Sequence, residues 1–260
     1  VYSMTDERGQ FYVLTRKNIQ VFGQTDSSDP HSPVILLRKW DIPASIKRDE
    51  AARALMLTRL DKASTPVSEE MRKGIGMMRD MPLGINMTYD GHLVFSMVGG
   101  TVVVLDREFA GPPQAIKVDG ELFTNSLSVD PDGGIYAVGD RQMHKFVWKG
   151  GRLSAKERDG AWSSPYNLTQ NPLPGVRGGG TGSGTTATLM GFRAGEDRLV
   201  VIADGMEKMN IVAFWRDAIP KHARKVPGAS SRRIAGQMAV RMGGVESPYI
   251  QTEASLGVAG

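Results

Sequence analysis

The 260-residue chain holds 31 Gly and 14 Pro, is 40% hydrophobic, and has a net charge of +4 from 32 Lys and Arg against 28 Asp and Glu. The Gly and Pro surplus predicts many turns, and the apolar share with low net charge excludes disorder of the whole chain. With no cysteine, disulfide frameworks, thiolate metal sites and cysteine nucleophiles are excluded.

Residues 2–22, YSMTDERGQFYVLTRKNIQVF, read as three short strands with Gly9 in the first turn and Tyr12, Val13 and Leu14 in the second strand. Residues 44–79 are rich in helix formers. Ala52, Leu55, Met56 and Leu60 recur at helical spacing, with Ser45 or Asp49 as caps and Ser68-Glu69-Glu70 opening a second helix. The three-strand pattern returns at 83–105, with Asp90-Gly91 as the turn before Leu93-Val94-Phe95, and at 124–148, with Asp132-Gly133 before Ile135-Tyr136-Ala137-Val138. Residues 163–185 have no periodicity and read as a long Gly/Pro-rich loop. A further copy spans 186–215, and 246–260, ESPYIQTEASLGVAG, reads as the start of a fifth.

The separation of the copies at 83 and 124 matches one four-stranded propeller blade of roughly 40–50 residues. The expected fold is therefore all-β: a β-propeller of four-stranded antiparallel blades, four to six of them, with a helical insertion at 44–79. The chain reads as one such domain or a fragment of one. Its first residue is Val1 and no leader is visible, so a preceding segment stays open.

Chemistry-bearing residues are sparse. The run from Gly178 to Gly184 lacks the Gly-Lys-Ser/Thr ending and the strand-to-helix setting of a phosphate loop. His31, His92, His144 and His222 show no metal-ligand spacing. The basic residues form no stripe, so nucleic acid is not an expected partner, and no apolar run is long enough to span a membrane. Asp140 and Asp204 occupy equivalent places after the second strand of consecutive copies, and Asn125 opens the inner strand of one. Converging oxygens of this kind suit a hard cation such as Ca2+. Met71, Met77, Met78 and Met81 offer an adaptable surface for a partner.

Residues 124–140, TNSLSVDPDGGIYAVGD, resemble the blade phrase of six-bladed propellers of the NHL and gluconolactonase/paraoxonase-like families. There an Asn opening the inner strand and an Asp after the second strand can ligate calcium, positions matched here by Asn125 and Asp140. The copy at 186–204 keeps Asp204 without the Asn, and that at 83–98 has Val98 in place of the Asp. The resemblance implies a periplasmic or secreted propeller binding a small molecule at its channel mouth, with Ca2+-assisted lactonase or esterase chemistry. Asn125, Asp140 and Asp204 would be its metal ligands and His144 its proton-transfer group. The alternatives are a non-catalytic scaffold for a protein partner and a quinoprotein-type redox propeller. The latter is disfavoured because its tryptophan-docking repeats are missing.

Overall fold

Apolar alternation decides the architecture. Successive side chains of a strand point to opposite faces, and in the computed structural model, which describes residues 2–62, 68–169 and 182–258, both faces of the central strands are buried. In β6 (His92–Met97), Leu93, Phe95 and Met97 enter one core while Val94 enters another. The strand β7 (Thr101–Asp106) divides the same way, with Val103 and Leu105 on one side and Val102 and Val104 on the other. A sheet apolar on both sides must lie between two others.

Four antiparallel meanders result, each in chain order. Sheet one contains β1 (Tyr2–Thr5), β2 (Phe11–Leu14), β3 (Asn18–Gln24) and β4 (Val34–Asp41). Sheet two joins β5 (Pro82–Met87), β6, β7 and β8 (Gln114–Lys117). Sheet three has β9 (Phe123–Val129), β10 (Gly134–Gly139), β11 (Gln142–Lys149) and β12 (Arg152–Ser154), with β13 (Trp162–Pro165) as a fifth strand. Sheet four holds β14 (Thr188–Met190), β15 (Leu199–Ala203), β16 (Asn210–Trp215) and β17 (Ile234–Ala239).

Three hydrophobic clusters fill the spaces between sheets one and two, two and three, and three and four. Among the described residues no such cluster joins sheet four to sheet one, so this is an all-β, propeller-type array of four blades with no closed ring. In sheet one the run Val34, Ile35, Leu36 and Leu37 is exposed on both faces of the outermost strand.

The segment expected to open a fifth blade departs from that reading. Among the described residues, 246–258 contain no strand. A single parallel bridge joins Ile250 to Lys208, Asn125 Nδ2 donates to the Glu253 carbonyl at 3.4 Å, and Thr188 Oγ1 donates to that of Leu256 at 2.7 Å. The segment is thus a strap lying against sheets three and four. With Gly243 and Gly244 before it and no second strand to pair with, it takes its hydrogen bonds from neighbouring blades.

In the chain, α1 (Asp49–Asp61) and α2 (Glu69–Gly76) come between β4 and β5. Neither expected cap of α1 is used: Arg48 holds the N-cap position without a side-chain bond, and Asp49 and Glu50 instead place negative charge at the positive end of the helix. Ser68 does cap α2, accepting from the Met71 amide at 3.2 Å. Ala52, Leu55 and Met56 pack α1 onto the core between sheets two and three.

Turn chemistry positions sheet three. Gly133 adopts φ +88°, and a Cβ there would strike the Trp148 carbonyl. The cap of this turn is Asp130, whose Oδ1 accepts from the amides of Asp132 and Gly134 at 2.9 and 2.8 Å while Oδ2 accepts from the Tyr136 hydroxyl at 2.7 Å.

Candidate functional site

In a four-strand meander, the hairpin between the second and third strands lies at the same end as the connection to the next sheet. That end carries α1, α2 and the described residues 182–187 before β14, and it collects the buried charges; of the loop expected over 163–185, the first three residues belong to β13 and 170–181 lie outside the described residues. Asp80, Glu121, Asp140 and Asp204 are each no more than 4% exposed.

Each of these carboxylates accepts a hydrogen bond, Glu121 Oε2 from the Arg141 amide at 3.1 Å. Asp80 accepts from the Arg48 and Gly99 amides, both at 2.8 Å. Asp140 accepts from Arg59 Nε at 2.7 Å and from the Leu122 amide at 2.9 Å, and Arg59 Nη2 also donates to the Gly120 carbonyl at 2.8 Å. Asp204 accepts from the Asn210 amide at 2.8 Å and from its side chain at 2.6 Å. The amide nitrogen of Asn125 donates to the Gly184 carbonyl at 2.6 Å while its oxygen accepts from the Ser126 amide at 2.8 Å.

The three side chains expected to ligate Ca2+ are therefore spent elsewhere. A cation at Asp140 would face the Arg59 guanidinium, and the oxygens of Asp204 and Asn125 satisfy neighbouring donors, so this donor set does not fit Ca2+. Among the described residues no group of three or more His, Cys, Asp and Glu is placed to hold a metal ion. The geometry fits clamps that lock hairpin to inner strand. Gly182 takes part: a Cβ there would lie 2.6 Å from Asp140 Cα, so its backbone packs directly against the clamp.

Burial pushes the carboxyls of Asp80, Asp140 and Asp204 above their ordinary range, against the opposing pull of amide hydrogen bonds and, at Asp140, of Arg59. An acid with a raised folded-state pKa makes the folded form bind more protons than the unfolded one. Its contribution is fully present below the unfolded pKa of about 3.9 and is lost as pH rises through the folded value. Replacing Asp204 with Asn removes one such group. Thermal midpoints measured from pH 4 to 7 will show the variant gaining on the unmodified protein as pH rises. A gap constant with pH would contradict this.

His144, the expected proton-transfer group, lies in β11 and is 2% exposed. Its ring packs between Phe123 and Phe146, with centroids at 5.8 and 6.0 Å. Nδ1 is 2.8 Å from Ser163 Oγ, and Nε2 is 3.7 Å from Glu121 Oε2. The structure thus brings His144 together with Glu121 and Ser163, not with the Asn125, Asp140 and Asp204 set. Glu121 went unread in the sequence, although it precedes β9 by two residues as Asp80 precedes β5, an equivalence visible once the copies are aligned.

A second feature of this end had no sequence signal. A cavity of about 520 Å3 opens where the β2–β3 hairpin, the connection before α1 and the end of α2 meet. Its lining combines Arg16, Lys17, Lys47, Arg79 and Asp80 with Met77, Met78 and Met81. Arg79 pairs with Asp49 at 3.1 Å. Among the described residues, the side-chain charges of Arg16, Lys17 and Lys47 have no ion-pair or hydrogen-bond partner. The methionines lie within the cluster read as a partner surface, and here three of them wall a pocket.

No family model matches the chain. A protein of Archaeoglobus fulgidus, described as uncharacterized, is 36% identical over 167 residues, covering 62% of this chain and 30% of that protein. The chain thus spans less than a third of that relative. Two solved structures resemble it at 12% identity and a TM-score of 0.43. One is a protein from Lactobacillus plantarum, covering 93% of this chain and 56% of that one, and the other is the Cps50 (Swd1) β-propeller domain of Myceliophteria thermophila, covering 94% and 58%. The chain therefore spans little more than half of either. No helix among the described residues is long and apolar enough to cross a membrane.

Proposed function

We propose that this propeller-type array is a ligand-binding module whose loop-end cavity takes a small organic carboxylate with an apolar body. The observation that carries the reading is the meeting of three unpartnered cations, Arg16, Lys17 and Lys47, around one cavity of about 520 Å3. That volume falls in the range of small-molecule sites. Apart from buried Asp80, which is occupied by backbone amides, the walls supply no negative charge, so the cavity attracts anions. Met77, Met78 and Met81 supply polarizable, adaptable contacts for a hydrocarbon portion. A bare inorganic anion would leave that wall unused.

Titration calorimetry with octanoate and acetate tests this. Octanoate is expected to bind saturably and acetate not at the same concentrations. Lys17→Glu combined with Lys47→Glu should weaken octanoate binding at least tenfold, since it replaces two attractive charges with repulsive ones. Equal binding of both acids, no binding of either, or affinity unchanged in the double variant would refute the reading.

A further inference from the structure

The outer edge of sheet three is interrupted. β12 pairs with β11 only at Val147, Trp148 and Lys149, after which the chain leaves the sheet and returns as β13 to pair with Gln142, Met143, His144 and Lys145. This returning strand sets Ser163 directly opposite His144 in register. Ser163 is exposed, whereas His144 and Glu121 are both 2% exposed. An accessible hydroxyl is thus linked at 2.8 Å to a buried imidazole whose far nitrogen faces a buried carboxylate at 3.7 Å.

We infer that Ser163, His144 and Glu121 form a nucleophilic serine centre acting on carboxylic esters, at a place separate from the carboxylate-binding cavity and independent of it. The constellation has the order of an acyl-transfer triad, which is recognised by geometry and roles rather than by fold or chain order. The tautomer in which Nδ1 accepts from Ser163 carries its hydrogen on Nε2, directed towards Glu121. Nε2 has no hydrogen-bond partner at ordinary length, and the 3.7 Å gap to Glu121 is of the kind that tightens when charge develops on the ring. The rings of Phe123 and Phe146 fix the imidazole in place.

The step balances without any added reagent. Ser163 Oγ bonds to the ester carbonyl carbon while its proton passes to His144 Nδ1, and the Glu121 carboxylate offsets the imidazolium charge. Collapse of the tetrahedral adduct breaks the bond to the alcohol oxygen, which departs with the proton from Nδ1 and leaves acyl-Ser163. Water then adds to that carbonyl, giving its proton to Nδ1. The C–Oγ bond breaks, and Ser163 recovers the proton as the carboxylic acid leaves. Ser163 and His144 are the catalytic residues of this scheme, and Glu121 is a positioning residue.

The test is labelling of the full chain with a fluorophosphonate probe, read by peptide mass spectrometry. Ser163 is expected to be modified at least a hundredfold faster than exposed Ser27 in the same molecule. Glu121→Gln should slow labelling of Ser163 at least tenfold while leaving Ser27 unaffected. Ser163→Ala should abolish the fast label and, lying at an exposed position, keep the thermal midpoint. The within-molecule comparison needs no variant to fold. Ser163 labelled no faster than Ser27, or at the same rate after Glu121→Gln in a folded variant, would overturn the assignment. Because the readout is covalent and local, failure of octanoate to bind the cavity has no bearing on it.

Discussion

Arg59→Met is expected to lower the unfolding free energy by about 3–5 kcal/mol, the cost of leaving a buried carboxylate without its counter-charge. The Arg59 side chain is 9% exposed and that of Asp140 is fully buried, with 2.7 Å between Nε and Oδ2. Arg59 lies near the end of α1 and also holds the Gly120 carbonyl at 2.8 Å, so the same change frees the helix from sheet three. A fall in the thermal midpoint on the order of 10 °C follows for a chain of this size. Adding Asp140→Asn to Arg59→Met removes the stranded charge and should restore more than half of the loss. Denaturant melts of the single and double variants measure both quantities. A double variant no more stable than the single one would show that the ion pair is not the source of the effect.

The second large effect is expected at Phe95. Its side chain is fully buried between sheets one and two, with the Trp40 ring edge-on at 6.2 Å. Phe95→Ala opens a cavity among Tyr12, Ile19 and Leu93, residues held in place by their own strands and therefore poorly able to collapse into it. The expected cost is about 3–5 kcal/mol. Because this core is what fastens sheet one to the array, amide exchange should speed up in β1 to β4 more than in β14 to β17. Equal acceleration in all four sheets would mean that the sheets open together rather than separately.

Sequence made the centre of each blade legible and its rim illegible, for a physical reason. The second and third strands lie between cores, so their alternation is strongly apolar, as in Leu93-Val94-Phe95 and Ile135-Tyr136-Ala137-Val138, and Gly91 and Gly133 mark the hairpins. The outer strands are half solvated. β8 is four residues, Gln114–Lys117, and β12 only three, too short for any period to emerge. β13 exists because its partner strand has a vacant upper half, which no local pattern announces.

The candidate site divides along the same line. Asp140 and Asp204 stood out because they recur at equivalent places in consecutive copies, with Asn125 opening the inner strand of one, and recurrence reports a structural task as readily as a chemical one. Asp204 is satisfied by short-range bonds to Asn210, and Asn125 by the Ser126 amide and the distant Gly184 carbonyl. Asp140 is held by Arg59, 81 residues away, a pairing set by how the inserted helix falls across the blades. Arg16, Lys17 and Lys47 are ordinary surface cations in sequence and become a group only through the meeting of a hairpin, a connection and a helix end. His144 was singled out without its partners, since Ser163 is its neighbour only through strand register.

The bare stretch at Val34 to Leu37 carries a consequence of another kind. Among the described residues no strand pairs with the outer edge of β4, which leaves its amides and carbonyls open to another polypeptide. Four consecutive apolar residues there combine high strand propensity with no charge until Arg38 and Lys39. Those two cations, Arg38 paired with Glu108 and Lys39 with Asp41, both at 3.1 Å, stand at the downstream end of the run as gatekeepers. Salt that screens them, or loss of either one, would turn the rim of the first blade into a template for intermolecular sheet growth.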